Sequence, residues 1–148
     1  IVKNQLLFKT MKPEARLYQL VKKQFSNIIW TRLENSIVAG VPDLLGYNKK
    51  GYFFTLELKV SKRNSVRFSP HQIAFHKLHP KNSFILVQSL APRCLKLYEG
   101  SQILELVACG LKLDACCFGD SPKNLRCLGL EACRLRLEAV GAEALSLA

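Results

Sequence analysis

Residues 40–60 read GVPDLLGYNKKGYFFTLELKV. The Asn48-Lys49-Lys50-Gly51 stretch is a turn signal between two runs of apolar and aromatic residues. It predicts a hairpin, with a short strand over 43–47 and a long one over 51–60. Strand side chains alternate between faces, so Tyr52, Phe54, Leu56, Leu58 and Val60 share one face and Phe53, Thr55, Glu57 and Lys59 the other. Glu57 and Lys59 are then neighbours, about 7 Å apart along the strand at ~3.3 Å per residue. Folding back through the turn brings Asp43 opposite the Glu57 end. Two carboxylates would converge beside an ammonium, in a chain that has few acids in this region.

Outward from the hairpin, residues 11–25 (MKPEARLYQLVKKQF) have helical periodicity, with Leu17, Tyr18, Val21 and Phe25 as the apolar stripe. Thr10 is the expected cap, and Pro13 is tolerated in the first turn. Glu14 precedes Leu17 by three and Tyr18 by four, which places it on the apolar stripe, although an acid in a first turn is also favoured by the helix dipole. Residues 27–33 read as a strand. Ser69-Pro70-His71-Gln72 is a helix start, with Ser69 as cap and Gln72 able to close a capping box; the helix is expected to run to Leu78. Phe84 to Val87 reads as a strand buried on both faces, and 94–98 as a further strand. The predicted class is α/β, a mixed central sheet flanked by helices in the order αβββαβ.

From residue 104 the character changes. LELVACG, LKLDACC, LGLEACR and LRLEAVG are seven-residue units of similar form. Such a period suits a helical seam, while the LxL core also alternates like a strand. The expected organisation is a leader over 1–10, a domain over 11–103 and a repetitive extension over 104–148 with no catalytic role. Met11 is the only methionine and is read as the true start.

Charge follows the same division. The chain of 148 residues carries +11. Residues 1–100 hold 17 Lys and Arg against 5 acids, or +12, and residues 101–148 hold 5 against 6, or −1. The excess belongs to the first hundred residues and favours a polyanion such as nucleic acid or a membrane surface. No run of about 18 apolar residues suggests a membrane span. The six cysteines all follow residue 93 and form no CxxC pair, which argues against structural zinc. The three histidines do not fall at i, i+4, and no Gly-rich phosphate loop occurs. A cytoplasmic setting is expected.

Two carboxylates and a backbone carbonyl suit a hard cation such as Mg²⁺, which activates water and offsets phosphate charge. Pro42-Asp43 followed by Glu57-Leu58-Lys59 resembles the PD-(D/E)XK nuclease motif. The wider match takes in Glu14, Gly40-Val41-Pro42-Asp43-Leu44-Leu45 and Ser69-Pro70-His71-Gln72. It covers roughly residues 11–100 and is similar to virus-type replication-repair nucleases and to archaeal Holliday-junction resolvases. The resemblance implies a restriction-endonuclease-like core and an endonuclease that cuts DNA with Mg²⁺ or Mn²⁺, of phage or bacterial-cell type and serving replication, repair or recombination. It implies that Asp43, Glu57 and the Leu58 carbonyl bind the metal, with Glu14 reaching it through water. Lys59 would be the catalytic lysine, and Gln72 would sit near the metal or the substrate phosphate. Lys49, Lys50, Lys62, Arg63, Arg67 and His71 are candidate DNA contacts flanking the site. Dimerisation is expected of a resolvase or a site-specific cutter. The rival reading is a nuclease fold that binds branched or single-stranded DNA without cutting.

Overall fold

The computed structural model describes residues 10–34, 37–90, 93–113 and 129–142. Its elements are α1 (Pro13–Gln24), β1 (Ile29–Arg32), β2 (Leu44–Tyr47), β3 (Phe53–Ser61), α2 (Pro70–Leu78), β4 (Ser83–Leu90), β5 (Arg93–Glu99), α3 (Ile103–Cys109) and α4 (Leu130–Glu138). Five strands form one sheet in the order β1-β2-β3-β4-β5. β3 and β4 are parallel and the other pairs antiparallel. The sheet is therefore mixed and the element order through β4 is αβββαβ, the architecture expected from the sequence.

The hairpin closes on Asn48. Gly51 N–H donates to the Asn48 carbonyl, while the Asn48 side-chain oxygen accepts from the Lys50 and Tyr52 amides. This turn fixes the register at Tyr47↔Phe53 through Leu44↔Leu56. The next pair in that register is Asp43 with Glu57.

Alternation along β3 separates two cores. Phe54, Leu56 and Leu58 face a cluster with Leu17, Val21 and Phe25 of α1 and Cys133, Leu137 and Val140 beside α4. Ile85, Val87 and Tyr98 face a second cluster with Ile103 and Leu106 of α3, and Ile73 of α2 packs against it. The result is three layers, α1 and α4 on one face of the sheet and α2 and α3 on the other.

Three sequence expectations are corrected. Lys12, not Thr10, is the N-cap residue of α1, and no side chain caps it; Pro13 at the first helical position removes one of the amides that would otherwise be left unpaired. Within the stretch expected to be a repetitive extension, the described parts are helical and join both cores. Helical rather than strand periodicity operates in α4. Cys133, Leu137 and Val140, at i, i+4 and i+7, are buried, while Leu135, two residues from Leu137, is 53% exposed. The domain boundary drawn at 103/104 falls inside α3. The expected leader over 1–10 and the units over 114–128 lie outside the described residues, apart from Thr10.

Candidate active site

Asp43 leaves the loop at the start of β2, and its Oδ2 accepts a hydrogen bond from the Leu58 amide at 2.7 Å. That bond ties the entering loop to the middle of β3. The loop reaches this position past the first turn of α2. Gly40 adopts φ +86°, and a Cβ there would lie 2.5 Å from the His71 carbonyl oxygen. Only glycine fits both constraints, so the glycine of GVPD is required by the close approach of two backbones.

Glu57 is buried, with 3% relative exposure. Its Oε1 accepts from Gln72 Nε2 at 2.8 Å and lies 3.8 Å from Lys59 Nζ. Its Oε2 is buried without a hydrogen-bond partner. Burial, with the Asp43 charge beside it, pushes the Glu57 carboxyl up to about 8, against a smaller opposing pull from Lys59. Asp43 is also raised, by desolvation first, with Leu58 N–H and Lys59 working against the rise.

Lys59 Nζ donates to Gln72 Oε1 at 3.0 Å and lies 5.0 Å from the Phe68 ring centroid. Gln72 also completes the capping box of α2, its Oε1 accepting from the Ser69 amide and its amide donating to Ser69 Oγ. Of the two readings of Gln72 available from sequence, the helix cap is formed, and the same side chain also bonds Glu57 and Lys59. The cap fixes where that side chain lies.

Glu14 lines the same pocket as Asp43 and Leu58, together with Lys12, Ala15, Tyr18, Arg32 and Leu44. Its charge contributes to the rise at Asp43. Arg32 and Lys12 were not singled out from the sequence. Arg32 lies 5.4 Å over the Tyr18 ring and 3.6 Å from Glu34, and it pulls the Asp43 carboxyl down. Nothing local in the sequence brings the end of β1 to the start of α1; the sheet does.

The other cations divide. Lys62, Arg63 and Arg67 are exposed on the loop that leaves β3 at the Asp43 end, and His71 is exposed at the start of α2. Ser61 Oγ holds this loop from within hydrogen-bonding distance of the Arg63 and Ser65 carbonyls, to which its one proton can be donated in turn, and Leu111 N–H donates to Asn64 O at 2.7 Å. Lys49 and Lys50 do not flank the carboxylates. They sit in the turn at the opposite end of the hairpin, six and seven residues from Asp43, or roughly 20 Å at about 3.3 Å per residue.

The donor set fits a hard divalent cation. Two carboxylates meet with one oxygen unpartnered, and their mutual repulsion holds a proton that a cation would replace. Among the described residues no group of three His, Cys, Asp or Glu side chains stands at metal-binding distance. Mg²⁺ does not require one, since it keeps several waters and takes one or two carboxylates plus substrate oxygens.

No family model matches the chain, and no curated protein matches it. Solved structures do. Hjc from Archaeoglobus fulgidus, a Holliday junction resolvase from an archaeal hyperthermophile, is similar with a TM-score of 0.45 and 14% identity over 60% of this chain and 75% of its own. A VRR_NUC domain is similar with a TM-score of 0.45 and 23% identity over 66% of this chain and 97% of its own. No helix among the described residues is long and apolar enough to cross a membrane.

Proposed function

We propose that this chain is a DNA endonuclease that hydrolyses phosphodiester bonds with Mg²⁺ or Mn²⁺, of phage-type replication, repair or recombination. The observation that carries the reading is the Asp43–Glu57 pair. One Glu57 oxygen is buried without a partner, and the other is held by Gln72 and Lys59. Buried polar atoms are seldom left unpaired, and beside a second carboxylate this one is suited to a cation.

In this reading Asp43 and Glu57 would hold the cation, with the Leu58 carbonyl and, through water, Glu14 as further ligands. A bound divalent cation would acidify water and offset charge on a phosphate oxygen. The chain supplies the rest. Lys59, held by Gln72 Oε1, presents its ammonium beside Glu57, where it orients the attacking water or donates to the phosphoryl oxygen as charge develops there. Arg32 and Lys12 on one side, and Lys62, Arg63, Arg67 and His71 on the other, would contact the flanking phosphates. A second copy of the chain is the expected partner for paired cuts.

Wild-type protein should nick or cut DNA when Mg²⁺ is added. Glu57→Gln and Lys59→Ala should each lower the rate at least a hundredfold while leaving the fold intact by circular dichroism. Equal cleavage by wild type and both variants overturns the assignment. Tight binding without cleavage in Mg²⁺ or Mn²⁺ points instead to a non-cleaving DNA-binding module, which the basic first hundred residues would also serve.

A further inference from the structure

Among the described residues, three side-chain polar atoms are buried without a partner: Thr55 Oγ1, Glu57 Oε2 and His76 Nε2. All three lie under one helix. Thr55 and Glu57 are two apart on β3 and share its α2-facing side. His76 is one turn after Gln72 on α2, so it faces the same way as the residue that holds Glu57. It is wholly buried, and its Nδ1 pairs with Ser83 Oγ at 2.6 Å. Ser83 is in turn the register partner of Thr55 in the parallel β3–β4 ladder. Thr55, Ser83 and His76 therefore converge beneath the last turn of α2.

The buried Glu57 oxygen has a use in the site proposed above. The Thr55 hydroxyl and the second His76 nitrogen have none. Leaving a buried polar atom unpaired costs about 1–3 kcal/mol, and an imidazole with either tautomer at Ser83 is still one hydrogen bond short at Nε2. Burial lowers the His76 pKa to about 4, so the ring is neutral at pH 7 and not a counter-charge.

We propose that a water molecule is bound beneath α2, bridging Thr55 Oγ1 and His76 Nε2, and that His76 and Thr55 are thereby positioning residues for Gln72. A buried water needs two to four polar partners; Thr55, His76 and the remaining capacity of Ser83 Oγ provide three. The water ties α2 to β3 one turn below Gln72. It fixes the height of the helix over the sheet, and with it the two hydrogen bonds Gln72 makes to Glu57 and Lys59. The effect on cleavage rests on the nuclease reading; the water itself does not.

The test begins with a crystal structure of the full chain at a resolution that shows waters. A peak within hydrogen-bonding distance of both atoms is expected, and its absence overturns the proposal. Thr55→Val keeps the shape and removes the hydroxyl. It should lower the melting temperature by several degrees and lower kcat about tenfold with KM little changed, while Thr55→Ser restores both. A Thr55→Val variant as stable as wild type also overturns the proposal, because an isostere that strands no partner costs nothing. If wild-type protein shows the water but cuts no DNA, the nuclease reading falls and the bridge stands. If it cuts DNA and shows no water, the reverse holds.

Discussion

Gln72 joins two structures with one side chain. Its Oε1 closes the capping box and accepts from Lys59, and its Nε2 donates to Glu57. Gln72→Glu keeps the acceptor that the cap requires but cannot donate, and it sets a third carboxylate beside two that already repel. Cleavage should fall at least a hundredfold, while Ser69→Ala, which removes the cap alone, should cost only about 1 kcal/mol of stability. Steady-state rates and thermal melts on both variants separate the roles. The carboxylates themselves make stability depend on pH. Glu57 is raised to about 8 in the folded chain from its ordinary value of 4.5. Between those values the folded state therefore holds more protons than the unfolded state, and stability falls as pH rises through the window. Melts from pH 5 to 8.5 without metal should slope downward, and Glu57→Gln should remove much of that slope. Mg²⁺ should raise stability most at the alkaline end, where it no longer competes with the proton. The core of this site was legible in the sequence because a period of two and one turn fix Asp43, Glu57 and Lys59 relative to one another. Arg32 and Lys12 were not legible, since their approach depends on how β1 and α1 meet across the sheet. Lys49 and Lys50 were misplaced because the same register that brings Asp43 to Glu57 sends the turn to the far end.

At the scale of elements, α4 carries the largest surprise. Its heptad units fit a strand and a helix equally well on paper, since LxL satisfies both periods. The core chooses the helix, because only that period buries Cys133, Leu137 and Val140 together. Asn48 then reaches the end of α4, its Nδ2 donating to the Leu137 carbonyl at 3.2 Å and the Val140 carbonyl at 2.9 Å. The turn residue of the hairpin thus also satisfies the orphan carbonyls of a helix terminus. Gly141 passes so close to the Tyr52 ring that a Cβ would lie 2.2 Å from it. Leu137 is wholly buried, so Leu137→Ala should cost about 2–5 kcal/mol. Leu135→Ala, on the exposed side of the same helix, should change stability little. Chemical denaturation of the two variants checks this, and equal effects would mean α4 does not dock as described.

For the whole molecule, the positive excess of residues 1–100 meets the structure unevenly. Lys62, Arg63, Arg67 and His71 follow β3 at the Asp43 end of the hairpin, while Lys49 and Lys50 sit in the turn at its other end, six and seven residues from Asp43, a spread of roughly 20 Å. A duplex lying over the site and reaching both groups would neutralise several phosphates. Binding should then weaken steeply with salt, by about one order in affinity per order in salt concentration for each phosphate neutralised. Lys49→Ala combined with Lys50→Ala should flatten that dependence and leave the cleavage rate at saturating DNA unchanged. Lys62→Ala with Arg63→Ala should change both. Titrations at several salt concentrations distinguish the two. The element order through β4 and the mixed character of the sheet were readable in advance because the hairpin turn and the cap of α2 are written in the sequence. The second covering helix on the α1 face was not, because the segment that forms it follows no signal linking it to the hairpin.

The contact from Asn48 to the end of α4 spans about ninety residues of sequence. Closing so long a loop is slow relative to forming the hairpin. During synthesis the carboxylates can come together as soon as β3 and α2 have emerged, while one face of the sheet still lacks its last helix. The chemistry of the centre is thus encoded early in the chain and its shelter late. The interval between them is when the exposed sheet face is most open to aggregation or to chaperone capture.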